Sequence, residues 1–106
     1  MKTTRVNREG FWKEGEDSAL PMPRARARSW RGQGAFLTCL ETAEIDAHAV
    51  HYRGWSTCRI CGAHNGSSEF RLGNWVWPSG FRHYVEVHNV RPSLAFQEFI
   101  IQIKVT

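Results

Sequence analysis

Apolar residues recur at helical spacing in the segment from residue 35 to residue 47. They lie three or four positions apart, while glutamate and threonine occupy the other faces. This periodicity predicts an amphipathic helix with one buried stripe, and Gly34 is its expected N-cap. The stripe consists of Phe36, Cys39, Leu40, Ala43 and Ala47.

A second apolar stripe follows Pro92 near the end of the chain. Phe96, Phe99, Ile100 and Ile103 fall on one helical face, which predicts a C-terminal helix. A closing strand is the competing interpretation, because the apolar residues at positions 101, 103 and 105 alternate with others.

The middle of the chain shows strand and turn signals. Residues 48–52 predict a short strand, and the two histidines in it, His48 and His51, are expected to be ordinary strand residues. The segments 68–72 and 75–77 flank Gly73-Asn74, which is a two-residue hairpin signal. A helix should then begin near Pro78 and continue to about His88, where Asn89 can adopt the left-handed conformation that ends it.

The first 31 residues differ from the rest in charge and pattern. They hold eight basic and four acidic side chains, whereas residues 32–106 hold six of each, so all of the net charge of +4 lies in this part. Prolines and an Arg-Ala repeat indicate an irregular basic arm, residues 1–31, ahead of a folded domain, residues 32–106. Its large apolar residues indicate an extended arm that docks some of them on the domain, although a fully flexible arm is the alternative.

The composition limits the class of protein. With 106 residues and 42% hydrophobic residues, the chain predicts one small domain that would profit from an additional cross-link. The sequence has no run of 18 apolar residues, so it predicts no membrane-spanning helix. Its N-terminal residues lack a secretory signal, so we expect a cytoplasmic protein with no membrane partner. Three cysteines argue against a disulfide framework, and Cys39 is expected to be a core residue.

Two short motifs combine cysteine with histidine. Cys58 and Cys61 are separated by two residues, His83 and His88 by four, and 21 residues lie between the pairs. Zinc favours four tetrahedral thiolate and imidazole ligands at such local spacings, and two thiolates balance the 2+ charge of the ion. The sequence therefore predicts a Zn²⁺ site formed by Cys58, Cys61, His83 and His88.

The histidine pair imposes a condition on the helix. Residues five apart on an ideal helix point roughly 140° apart, so both imidazoles reach one ion only if the last turn loosens. His64, three positions after Cys61, is the alternative ligand in place of His83 or His88.

Four protein ligands favour a structural site. A catalytic zinc usually keeps three protein ligands, an open water position and a nearby carboxylate base. Glu86 lies on the predicted helix without an evident activating partner, so the sequence argues against an enzyme and offers no catalytic residue.

The segments 58–62, 65–70 and 77–88 together resemble a family of small bacterial proteins of uncharacterised function. These share a Cys-x-x-Cys-Gly knuckle and a Trp-Pro-x-Gly-x-x-His-Tyr-Val helix followed by a histidine. The resemblance covers roughly residues 53–100 and implies zinc binding alone. The order of knuckle, hairpin and helix is also similar to a treble clef or an enlarged Cys2His2 finger. We thus expect an α+β fold, with this zinc unit flanked by an N-terminal and a C-terminal helix.

The first functional hypothesis is a non-enzymatic module that binds another protein. Exposure of Trp55, Trp75 and Trp77 would favour a protein contact, whereas burial would make them the core beside the zinc. The sequence does not indicate a small-molecule ligand.

Nucleic-acid binding and a metal-dependent nuclease of the ββα type are the alternatives. In the first, phosphates contact the arm and a base stacks on Trp30. The phosphate contacts would come from Arg24, Arg26, Arg28 and Arg31. In the second, His64, Asn74 and His83 would form the active site, but no acidic cluster is present to hold magnesium.

Overall fold

A computed structural model describes residues 6–11 and 22–102, apart from the side chains of residues 53 and 55. The elements are β1 (Asn7–Arg8), α1 (Gln33–Asp46), β2 (His48–Thr57), β3 (His64–Leu72), β4 (Trp75–Pro78), α2 (Phe81–His88) and α3 (Leu94–Gln102). The fold is α+β, with helices on both sides of the central unit in sequence, as the hydrophobic pattern predicts. Within these ranges, none of the helices combines the length and apolar composition of a membrane span.

The four strands form one mixed sheet in the order β1-β4-β3-β2. β2 and β4 both pair antiparallel to β3, whereas β1 pairs parallel to β4. Gly73 takes a φ of 59° in the tight turn between β3 and β4, a conformation that glycine adopts without steric cost. The hairpin predicted around Gly73-Asn74 is confirmed.

The three helices cover one face of the sheet and enclose an aromatic core. Phe70 of β3 lies opposite Trp77 of β4, and the Trp77 ring centroid is 5.3 Å from that of Phe96 in α3. Phe36 and Leu40 of α1 are fully buried in the same cluster, so the predicted stripe does face the core. Ala43 and Ile100 are also fully buried, and Cys39 is half-buried against the cluster.

Tryptophan accounts for much of this core. Trp77 is fully buried, and its indole N–H donates to the Glu44 carboxylate at 2.9 Å, which ties α1 to the sheet. Trp75 is half-buried, and its ring centroid is 5.8 Å from that of Phe99. These two rings therefore stabilise the core and do not form an exposed contact surface.

Three local predictions were wrong. α1 begins two residues earlier than expected, because Gly32 at a φ of 89° forms its N-cap and Gly34 lies inside the helix. Pro78 ends β4 instead of opening α2, because strand pairing continues past it through a 2.8 Å bond from the Ser79 N–H to the Ser68 carbonyl. β2 is also longer than predicted and continues to Thr57.

The described parts of the N-terminal arm contact the domain at several points. β1 adds to the edge of β4, and the Glu9 carboxylate accepts hydrogen bonds from the Ser93 N–H at 2.7 Å and the Ser93 hydroxyl at 2.9 Å. Ser93 precedes α3, so the arm supports the start of this helix. Trp30 is buried in the core, whereas Met22 is exposed.

Three further predictions concern the N-terminal arm, the domain boundary and the C-terminus. Trp12 and Leu20, two of the apolar residues of the arm, lie outside the described residues. The domain boundary after residue 31 stays a prediction. The closing strand that competed with the C-terminal helix is excluded at Ile101, which is helical, and its remainder lies outside the described residues.

Neighbouring isoleucines of α3 provide a test of the core. Ile100 is fully buried and Ile101 is 54% exposed. Ile100→Ala should lower the free energy of unfolding by about 2–5 kcal/mol, because it removes buried methyl groups and leaves a cavity. Ile101→Ala is the matched control and should change it by less than about 0.5 kcal/mol. Urea unfolding followed by tryptophan fluorescence measures both, and equal effects would contradict the packing.

Candidate metal centre

The two cysteines lie in the turn that joins β2 to β3. The Cys58 N–H donates to the Ala63 carbonyl at 2.8 Å, and the Gly62 N–H donates to the Cys58 carbonyl at 2.9 Å. Gly62 has a φ of 77°, so glycine permits the tight return of the chain after the second cysteine. The turn therefore brings Cys58 and Cys61 to the same end of the hairpin.

Two backbone N–H groups of this turn point toward Sγ of Cys58. Cys58 is only 2% exposed, and its Sγ accepts hydrogen bonds from the Ile60 N–H at 3.4 Å and the Cys61 N–H at 3.5 Å. N–H dipoles aimed at a sulfur complement the negative charge of a thiolate, which is the metal-binding form.

The two histidines come from α2. His83 lies in its first turn and His88 is its last residue. Asn89 follows with a φ of 55°, and its N–H bonds to the Tyr84 carbonyl, five residues earlier. A turn closed across five residues is wider than an ideal α-helical turn, and the ring centroids of His83 and His88 lie 5.2 Å apart. This is the loosened last turn that a shared ion requires.

The hairpin turn and the helix bring all four side chains to one point. One ligand atom from each of Cys58, Cys61, His83 and His88 lies within 4.8 Å of every other. The Sγ of Cys61 is 3.4 Å from Nε2 of His83. Zinc bonds of about 2.3 Å to sulfur and 2.0–2.1 Å to nitrogen place tetrahedral ligands roughly 3.3–3.8 Å apart. The four residues are close enough to hold a metal ion.

One nitrogen in this cluster lacks a hydrogen-bond partner among the described residues. Nε2 of His88 is buried and makes no hydrogen bond within the described part of the chain. Buried polar atoms nearly always have a partner, because leaving them unsatisfied costs free energy. A bound cation would satisfy this nitrogen. The four residues therefore fit a metal ion in the chemistry of their donor atoms, and one of these atoms has a lone pair that the described residues leave unused.

The surroundings favour the ligand form of His83. Partial burial lowers its pKa, and the neighbouring His88 lowers it further. A lowered pKa keeps the imidazole neutral, and only the neutral ring has a lone pair for a metal.

Tyr84 supports the cluster from behind. Its side chain is 4% exposed, packs with Cys58 and Val90, and accepts a 2.7 Å hydrogen bond from the Arg59 N–H in the cysteine turn. Burial raises the pKa of this hydroxyl, so it stays neutral at physiological pH. Tyr84 could not be identified as a supporting residue from local sequence signals, because nothing in its spacing shows that it bridges the helix to the turn.

The other histidines lie apart from the cluster. His64, the alternative ligand, is exposed at the start of β3 and is not among the grouped residues. His48 and His51 lie on β2, where Nδ1 of His51 is 2.6 Å from the Ser68 hydroxyl oxygen.

The residues of the two alternative functions are placed differently. His64 begins β3 and Asn74 lies in the turn after it, so the length of the strand separates two members of the hypothetical nuclease site. Trp30 is 7% exposed and packs against Phe36, so its ring is not presented to a base. The four predicted phosphate contacts are exposed, namely Arg24, Arg26, Arg28 and Arg31.

Substitution of a ligand should abolish metal binding. We expect Cys61→Ser and His88→Ala to lose the bound metal, because three remaining ligands leave the shell open. His64→Ala and Cys39→Ser are matched controls that keep it, since neither residue belongs to the cluster. Elemental analysis of the purified proteins gives the metal content per chain. Full metal content in Cys61→Ser would contradict the assignment.

Comparison of the chain with models of protein families, with curated proteins and with solved structures found no match in any of the three. The resemblance to small bacterial knuckle proteins therefore stays a prediction. The candidate metal centre is supported by its own donor atoms, their separations and the unsatisfied nitrogen of His88.

Proposed function

We propose that the protein is a non-enzymatic zinc protein in which a Cys2His2 centre stabilises a small interaction module. The observation that carries this proposal is the meeting of two sulfurs and two imidazole nitrogens within 4.8 Å of one another. Each pair comes from a separate element, so one ion would cross-link the β2–β3 turn to α2.

Zinc is the ion that suits this donor set best. Paired thiolates and imidazoles at tetrahedral separations select zinc over the hard cations magnesium and calcium, which prefer oxygen ligands. Two thiolates neutralise the divalent ion, so a centre that includes the buried Cys58 carries no net charge into the protein.

A structural role follows from the number of ligands. Four protein ligands complete a tetrahedral shell and leave no position for a reactive water. The closest acidic residue along α2, Glu86, accepts a hydrogen bond from the Arg82 guanidinium at 3.3 Å. Because the Glu86 carboxylate is occupied by this hydrogen bond, the pairing argues against a role for Glu86 as a general base.

The metal would contribute much of the folding free energy. Structural zinc in finger peptides contributes about 10–16 kcal/mol of apparent binding free energy. A typical small domain has a net stability of only about 5–15 kcal/mol. The hairpin turn and the last turn of α2 would therefore separate when the ion is lost.

The free edge of the sheet supports a protein partner. β2 pairs with β3 alone among the described strands, and it is ten residues long. An edge strand presents unpaired backbone N–H and carbonyl groups, which can pair with an extended segment of another chain. Tyr52 on this strand is 52% exposed and adds an aromatic contact.

Removal of the metal should unfold the module. Purified protein should contain one zinc ion per chain, and EDTA should abolish the cooperative melting transition that circular dichroism records, because the cross-link is lost. Added zinc should restore the transition and added magnesium should not. A melting curve unchanged by complete metal removal would exclude a structural role.

The edge of β2 can be tested by placing a charge on it. Tyr52→Lys should reduce capture of the protein partners that the wild-type chain retains from a cell extract, because a lysine on the edge opposes strand addition. Ile45→Lys is the matched control, since Ile45 is 79% exposed on α1. Equal reduction by both variants, or by neither, would contradict an interface at this edge.

A further inference from the structure

Two arginines of the folded body are paired with carboxylates of described residues, unlike those of residues 22–31. Arg71 pairs with Glu69 at 3.2 Å, and Arg82 pairs with Glu86 at 3.3 Å. The segment of residues 22–31, here called the arginine segment, contains four arginines and no acidic residue. Among the described residues, the guanidinium groups of these four have no ion pair or hydrogen bond. They are Arg24, Arg26, Arg28 and Arg31.

The backbone of the arginine segment is bound to the end of α2. The Arg26 N–H donates to the His88 carbonyl at 2.9 Å, and the side-chain amide of Asn89 donates to the Arg26 carbonyl at 3.1 Å. Gln33 holds the other side of Asn89 through a 2.9 Å bond to its amide oxygen. The middle of the segment therefore has a fixed place on the surface.

The end of the segment is anchored by a buried ring. Trp30 is 7% exposed, and its indole N–H donates to the Val90 carbonyl at 3.3 Å. The Arg91 guanidinium lies 5.6 Å from the centroid of the same ring. Arg91 is exposed and adds a fifth cation beside the four of the segment.

We infer that these five arginines form a surface that binds the phosphate backbone of a nucleic acid. Guanidinium groups pair with phosphate oxygens through two parallel N–H bonds, a geometry that lysine cannot provide. A run of cations without ion pairs in the described part of the chain fits a partner with a repeating negative charge, because each neutralised phosphate releases condensed counterions.

The buried position of Trp30 determines the mode of binding. Its ring contacts Phe36 in the core, so no base stacks on it. The surface contacts phosphates alone, and phosphate contacts carry no sequence information. Binding should therefore be independent of sequence and strongly dependent on salt.

The same chemistry disfavours an anionic membrane as the partner. Stable attachment to a bilayer needs apolar groups that insert beside the cations. Met22 is the only large apolar side chain of the arginine segment that is exposed, so electrostatic attraction would act almost alone. The phosphate contacts would come from these arginines and not from the edge of β2, so the inference does not depend on the protein-interaction proposal.

The test measures binding of the full-length protein to fluorescein-labelled 20-nucleotide DNA and RNA by anisotropy, across a series of salt concentrations. Arg26→Gln/Arg28→Gln removes two charges from the surface. Arg8→Gln/Arg82→Gln removes two charges elsewhere and is the matched control. The first pair should make the negative slope of log K against log salt shallower by about 1.4–1.8, at roughly 0.7–0.9 for each lost contact. The control pair should leave the slope within error of the wild type.

Three outcomes would overturn the inference. They are an absence of binding at low salt, an equal change of slope in the two double variants, and tighter binding to phosphatidylserine vesicles or polyglutamate than to nucleic acid. Melting curves accompany each variant. Because the substitutions keep the backbone bonds of Arg26, the melting temperature should match that of the wild type, and a change of slope then reports lost phosphate contacts.

Discussion

The convergence of the β2–β3 turn and the last turn of α2 is the constraint on which the rest of the structure depends. The β2–β3 turn has little apolar surface to fix its own position, whereas α2 is anchored in the core through Phe81 and Val85. Cys58, Tyr84 and Val90 pack together between the two elements. Cys58 also supplies one of the four candidate ligand atoms that lie close to one another. A divalent ion at this point would convert a weak contact into a cross-link whose strength exceeds that of any single packing interaction.

The three residues at the end of α2 extend this constraint to the arm. His88 belongs to the candidate metal centre, and its carbonyl accepts a hydrogen bond from the Arg26 N–H. Asn89 contacts both the arm and α1, and the Val90 carbonyl accepts a hydrogen bond from the Trp30 indole. Asn89 can do so because its left-handed conformation turns the chain away from the helix axis. The end of one helix thus connects the candidate metal centre, the arginine segment and the N-terminal helix.

The aromatic core forms a second source of stability on the covered face of the sheet. Trp77, Phe81 and Phe96 interlock at centroid distances of 5.3 Å and 5.5 Å, and the apolar stripe of α1 closes over them. The four candidate ligands lie outside this cluster, and one of them, Cys58, belongs to a smaller buried group with Tyr84 and Val90. The separation explains how the exposed sulfur of Cys61 can serve a metal without disturbing the packing of the core.

The sequence by itself determined the features whose signals are local. The helical stripe of Phe36 and Leu40, the turn at Gly73-Asn74, the end of α2 at Asn89 and the pairing of cysteine with histidine all depend on residues a few positions apart. Tertiary structure decided which distant residues meet. It grouped His83 and His88 with the cysteines and left out His64, placed Tyr84 behind the cluster, buried Trp30, and added β1 parallel to β4. Such choices follow from the relative positions of whole elements, which are set by packing and hydrogen bonds between segments far apart in the chain.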